Sequence, residues 1–404
     1  MTGVQQSGGG SAVPDRIPVM IPWLGQAEAD AAAEAVLSGW VAQGPRVGRF
    51  EEAFAARVGA AHGVAVSSCT TALHLALVVC GIGPGDEVVV PSFSFIATAN
   101  AVRYVGAVPV FADVDLETGN LTPETVEPVL TPRTRAVILV HQGGVPADVD
   151  ALRELCARYD GGGGGGGGIV ARERGIQLIE DAACAVGSTY RGAPVGSGSL
   201  IAAWSFHPRK LLTTGEGGML TLDREDWAVR LRRLREHGMD LSAAARHAST
   251  GPVFESYLET GFNYRMTDIQ AAVGLVQLAK LDAMVARRRE LAARYRELLA
   301  DVPGVRPVAD PEYGQSNFQS FWVLLDPEFP GGRDETLQRL AQAGVSARRG
   351  IMASHLEPAY AGTEHVPLPA TERLTRDSLI LPLFHSLTHA QQEHVVDVLR
   401  KPAG

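Results

Sequence analysis

An aspartate and a lysine 29 residues apart carry the sharpest chemical signal in this 404-residue chain. Asp181 closes the run Gln177-Leu178-Ile179-Glu180-Asp181, and Lys210 follows Trp204-Ser205-Phe206 in the stretch His207-Pro208-Arg209-Lys210. Both sit where short apolar strands end, and open α/β sheets bind ligands outside the carboxyl ends of their strands. A lysine and a carboxylate at such an edge suit Schiff-base chemistry with pyridoxal phosphate (PLP). The lysine would carry the cofactor, and the acid would keep its pyridinium nitrogen protonated so that the ring can stabilise a carbanion. A structural ion pair uses the same two residue types, so the surroundings decide. Ser67-Ser68-Cys69-Thr70-Thr71-Ala72 joins a strand to a helix. There, free backbone N–H groups and the positive helix end suit a phosphate ester. The same pattern also serves as an ordinary N-cap. Pro91-Ser92-Phe93-Ser94-Phe95 follows another strand and offers an aromatic face for a flat ring, or for the core.

Something must hold these residues together, and the hydrophobic pattern says what. Short β-branched or apolar runs at 64–66, 87–90, 108–111, 136–140, 177–179, 202–206 and 219–221 alternate mostly with helical stretches, among them 27–37, 49–58, 72–79 and 149–159. That alternation predicts an α/β fold with a mostly parallel sheet covered on both faces. Residues 268–299 read as one long helix bridging two domains, with Leu281, Met284, Val285, Leu291, Tyr295 and Leu298 near a 3.6-residue period. A strand at 321–325, a helix at 335–343 and a closing helix at 390–399 then make a smaller C-terminal α+β domain. The expected organisation is a leader over 1–17, a large domain over 18–267, and a bridging helix with small domain over 268–404. Eight consecutive glycines from Gly161 to Gly168 follow a helix rather than a strand and lack a nearby Lys or Ser. They read as a flexible insert, not a phosphate loop.

Composition narrows the class. The formal charge is −9, with 36 Lys and Arg against 45 Asp and Glu, so the basic footprint of a nucleic-acid binder is missing. No apolar run approaches a membrane span. Cys69, Cys80, Cys156 and Cys184 show no CxxC spacing, which argues for a reducing, cytoplasmic setting. His385 and His389 stand four apart without a third ligand, so no metal is expected.

With those residues in place, the chain resembles the DegT/DnrJ/EryC1/StrS family, sugar aminotransferases of PLP fold type I, from about residue 21 to 399. The resemblance runs through Ser38-Gly39-Trp40, Gly44-Pro45, the Ser68–Leu75 turn, Gly85-Asp86-Glu87 into Pro91–Asn100, Phe111–Asp115, Glu180–Ala183, Ser205–Gly218, His237-Gly238 and Gly261-Phe262-Asn263-Tyr264-Arg265-Met266. It implies a seven-stranded-type sheet and PLP on Lys210, which would then shuttle a proton. Asp181 would meet the pyridinium nitrogen and Phe95 would stack on the ring. The N–H groups of Thr70 and Thr71, with the Ser205 hydroxyl, would hold the phosphate. Asn263 would reach the phosphate across a homodimer interface. The substrates implied are a nucleotide-linked keto sugar and L-glutamate or L-glutamine.

Two positions depart from the family's pattern. Cys184 stands where Gln is usual beside the cofactor's 3′-oxygen, and thiols are weak hydrogen-bond partners. Cys69 stands where Gly is usual. Lys210 itself separates this chain from family dehydratases, in which His replaces the lysine. The alternatives are a keto-cyclitol aminotransferase, a sugar dehydratase and a non-catalytic PLP-binding regulator. His207 is a candidate to line the site. Arg348-Arg349 is either a diphosphate or carboxylate clamp or a solvated pair.

Overall fold

A computed structural model describes residues 16–159, 175–241, 250–252 and 254–400. The glycine run therefore lies outside the described residues. All seven expected runs form strands of one sheet: β1 (His62–Val66), β2 (Glu87–Pro91), β3 (Val108–Ala112), β4 (Thr134–Val140), β5 (Gln177–Asp181), β6 (Ala202–Ser205) and β7 (Gly218–Leu222). Their spatial order is β1-β7-β6-β5-β4-β2-β3. Every neighbouring pair is parallel except the two that involve β7.

The strands are apolar at successive positions because both faces are covered. Val88 and Val90 of β2, with Ala136 and Ile138 of β4, pack into a layer with Leu73 and Leu77 of the helix Cys69–Val79. Val89, Val137 and Leu139 point the other way, toward Leu152 and Leu155 of the helix Val149–Arg158. At the β6–β7 end, Phe50 and Phe54 of the helix Pro45–Val58 pack against Phe206, with ring centroids 5.2 Å apart in both pairs. Phe206 is fully buried and begins the turn that carries Lys210. Truncating such a ring to Ala costs about 3–5 kcal/mol, so this cluster is a firm footing for the turn.

The smaller domain is an antiparallel sheet in the order Val305–Pro307, Phe321–Leu325, Ser378–Leu381, Arg348–Arg349. Phe321, Val323, Leu379 and Leu381 share one continuous core with Val89 and Val137 of the large sheet, which fixes the two units against each other.

One expected element differs. The bridging helix is broken at Lys280 into Asp268–Ala279 and Leu281–Leu299, which are bent by 57°. The break brings Gln277 and Lys280 together on the buried Glu28 carboxylate, which accepts from both at 2.7–2.9 Å. The first half packs on the helices Gln26–Leu37 and Pro45–Val58. At the N-terminal end, Ile17 falls within the span expected as a leader. Residues 1–15 lie outside the described residues, but Ile17 is buried and forms a parallel bridge with Val345 of the small domain. Among the described residues, no single helix is long and apolar enough to cross a membrane.

Candidate active site

The parallel strands all run out at one edge, and the register of the sheet brings the expected residues to it. Val66 faces Gly218, and Gly218 faces Ser205. One row of the sheet thus sets the end of β1 beside the end of β6. Gly218 must be glycine here, because a Cβ would lie 2.5 Å from the Ser68 carbonyl oxygen. The Ser68–Thr70 turn therefore rests directly on β7, next to Ser205.

That turn is a capped helix start. The Ser68 side chain accepts from Thr71 N–H at 3.2 Å, and the Thr71 hydroxyl donates to the Ser68 carbonyl at 2.8 Å. The Thr71 N–H is thus engaged by the cap. The first two helical N–H groups, of Cys69 and Thr70, have no intrahelical carbonyl to reach and are the ones left to meet an anion. Ser205 is buried, and its oxygen accepts from His207 N–H at 3.4 Å. Its own hydrogen remains available in the same direction.

Asp181 ends β5 and is 5% exposed. One carboxylate oxygen accepts from the Thr98 hydroxyl at 2.9 Å and the other from Ala183 N–H at 3.2 Å. Burial pushes its pKa above the usual carboxylate value, against the pull of Thr98, Ala183, Lys210 and His141. No cation hydrogen-bonds to it among the described residues. A buried, acceptor-only carboxylate with an elevated pKa fits a protonated ring nitrogen, which would supply the missing charge.

Lys210 lies in the turn after β6. Its N–H donates to the His207 carbonyl at 2.8 Å, and Thr214 N–H closes the far side on the Phe206 carbonyl at 3.0 Å. The amine donates to Cys184 Sγ at 3.0 Å. Burial disfavours the ammonium, but Cys184, Cys69 and Asp181 outweigh it and hold the Lys210 pKa above its ordinary value. Burial also pushes the Cys69 thiol well up. Cys184, singled out as a departure, thus touches the lysine directly. Phe95, just past β2, leaves its ring 68% exposed, an uncovered apolar face at the same edge.

Asn263 is exposed, with its backbone bridged to Glu236. The next carbonyl, Tyr264, accepts from Ser67 N–H at 2.8 Å, so this segment borders the anion turn. His207 accepts from Arg209 N–H at 3.2 Å. His385 stacks on Trp23 with ring centroids 4.7 Å apart. Arg348 and Arg349 are exposed on the small-domain sheet.

Several residues were missed. Thr98 was inside the Pro91–Asn100 block, yet nothing in its type announced a partner for Asp181. Its hydroxyl lies 2.9 Å from that of Ser94, which extends the support. His141 directly follows β4, accepts from Ala147 N–H at 3.0 Å through Nδ1, and sits 3.1 Å from Glu180 through Nε2. That pattern makes Nε2 the protonated nitrogen. Asn317 and Gln319 of the small domain clasp Cys184 and Arg209 by their carbonyls, at 2.8 and 2.9 Å; no sequence signal marked them.

Comparison with known proteins finds a likeness to aminotransferases. The model of the DegT/DnrJ/EryC1/StrS aminotransferase family matches residues 22–161 and 168–400. The aminotransferase TlmJ from Streptoalloteichus hindustanus is 38% identical, with a TM-score of 0.84, covering 95% of this chain and 98% of its own. The structure of DesI in the presence of its TDP-sugar product is 34% identical, with a TM-score of 0.83 over 97% of this chain and 94% of its own. The putative sugar aminotransferase Spr1654 from Streptococcus pneumoniae, solved in a PMP-form and a PLP-form, superposes with TM-scores of 0.89 and 0.88 at 28% and 27% identity. Each form covers 95% of this chain and 98% of its own.

Proposed function

The chain belongs to the DegT/DnrJ/EryC1/StrS aminotransferase family, and from that premise we propose that it converts the keto group of a nucleotide-linked sugar to an amine, with L-glutamate or L-glutamine as donor. It is a PLP-dependent aminotransferase of fold type I. The observation that supports the substrate class is the likeness to DesI, whose crystal structure was determined in the presence of its TDP-sugar product.

Bound PLP supplies a ring that withdraws the electron pair left when a Cα–H bond breaks. The residues of the chain do the rest. Asp181 holds negative charge at the ring nitrogen, and Thr98 with Ala183 keeps that carboxylate oriented. Thr70, Cys69 and Ser205 present donors to the phosphate from the β1 and β6 ends. Phe95 covers one ring face and excludes water from it. Once its amine is free, Lys210 Nζ would take the proton from the donor's Cα and deliver it to the carbon on the far side of the bridging nitrogen, serving as base and then acid. The turn around Lys210 is closed on both sides, so Nζ moves on its own side chain over a fixed backbone. Arg348 extends from the small domain and Arg209 adjoins Lys210; guanidinium groups so placed suit the diphosphate of the sugar nucleotide.

Asn263 supports a two-chain site: it is exposed on the segment that borders the anion turn, and a second copy would bring its amide to the neighbouring phosphate.

The test begins with the visible spectrum of the purified protein. A yellow band that bleaches on adding L-glutamate, followed by an amino sugar recovered from a TDP-linked keto sugar, is the expected result. A band that never responds to any amino donor, or a deoxy sugar as product, would overturn the reading.

A further inference from the structure

Amination gives no role to the sulfur that Lys210 touches. Cys184 Sγ accepts from Lys210 Nζ at 3.0 Å, and the contact is built rather than incidental. The Cys184 carbonyl accepts from Asn317 Nδ2 at 2.8 Å, as does that of Val186, and Asn317 is fully buried. On the other side, Gln319 Nε2 holds the Arg209 carbonyl at 2.9 Å. Two neighbouring residues of the small domain thus fix both partners of one S···N contact. Cys184 is half-buried and opens on the site, so a small reagent reaches it.

We propose that Cys184 and Lys210 form a reversible sulfur–nitrogen cross-link on exposure to a hydroperoxide whenever the lysine amine is not engaged by PLP. This is a modification site within the catalytic centre. The first step forms a bond between Sγ and one peroxide oxygen as the O–O bond breaks. Sulfur is oxidised by two electrons to the sulfenic acid, and the second oxygen leaves as water with the thiol proton. In the second step Nζ, held at rest as the ammonium, first releases a proton to solvent, and its lone pair then attacks sulfur as the S–O bond breaks. The hydroxyl leaves as water with one proton from nitrogen. Thiol, amine and hydrogen peroxide thus become S–N and two waters. A nucleophile held in contact outcompetes a second peroxide from solution, so the link forms in place of the irreversible sulfinic acid. A dithiol reverses it by attacking sulfur and releasing the amine.

The composition makes the test clean, because Lys210, Lys280 and Lys401 are the chain's only lysines. The full chain, freed of PLP, is treated with hydrogen peroxide and cut with a lysine-specific protease. The expected result is loss of cleavage after Lys210, a fragment ending at Lys280 that is lighter by two hydrogen atoms, and the loss of one titratable thiol. Dithiothreitol should restore cleavage. Reloading with PLP before the peroxide should suppress the link several-fold, Cys184→Ser should abolish it, and Cys69→Ser should leave it. Undiminished cleavage at Lys210 with sulfinic acid on Cys184, or a disulfide between Cys69 and Cys184 with two thiols lost, would overturn the proposal. These readouts follow mass and cleavage, so they stand whatever sugar the enzyme aminates.

Discussion

Thr98→Val isolates the support of Asp181 from its charge. The replacement keeps the volume and removes a hydroxyl that donates to a buried carboxylate oxygen at 2.9 Å. A hydrogen bond to a charged group is worth about 1.5–3 kcal/mol. At about 1.4 kcal/mol per pKa unit, the loss raises the Asp181 pKa by about one to two. The direction adds to what burial already does. The carboxylate must be ionised to face a protonated ring nitrogen, so the variant takes up the competing proton at higher pH than the parent. PLP affinity should therefore fall by roughly 10- to 100-fold at the acid end of the binding profile. Near the alkaline end, where both proteins keep Asp181 ionised, the two affinities should converge. The assay is a PLP titration by absorbance at a series of pH values, with Thr98→Ser as the conservative variant that restores the profile. Equal affinities throughout, or a loss of the same size at every pH, would refute the electrostatic argument and leave Thr98 as packing.

Other perturbations separate the remaining parts of the site. Asp181→Asn should abolish turnover yet leave the melting temperature of the PLP-free protein unchanged or higher. A carboxyl whose folded pKa is raised is an unfavourable charge above that pKa, and the neutral amide removes it; a clear fall in melting temperature would contradict this. Lys210→Ala should lose both turnover and the lysine-dependent visible band, checked by spectrum and product assay. Asn263→Ala should weaken PLP retention, and mixed with Lys210→Ala chains it should regain part of the activity, because one site of the mixed dimer then has both residues; no recovery would mean that Asn263 acts within its own chain. Gly218→Ala drives a Cβ into the Ser68 carbonyl, so displaced anion-turn N–H groups should raise the PLP dissociation constant, read in the same titration.

What the sequence disclosed and what it withheld divide along a physical line. Strands such as 87–90 and 136–140 announced themselves because a strand buried on both faces must be apolar at every position, and little else in a soluble chain reads that way. Asp181 and Lys210 were legible because their positions at strand ends follow from those strands. The break at Lys280 was not legible: Leu281, Met284 and Val285 continue a helical period across it, and its counterpart, the Glu28 carboxylate, lies 252 residues away. Thr98, Asn317 and Gln319 were silent for the same reason. Each acts through a single hydrogen bond or two to a residue distant in sequence, and a hydroxyl or amide side chain looks the same whether it faces water or a buried acceptor. Thr71 shows how one donor can serve two readings. Its N–H pointed at the right place by type, but the Ser68 side chain that makes the turn also takes that donor. Capping and anion binding draw on the same few orphan N–H groups. A capped turn can offer a phosphate only the donors the cap leaves over, and here those are Cys69 and Thr70. On the proposed reading, the cysteine that stands where glycine is usual in this family would meet the phosphate with its backbone, not its thiol.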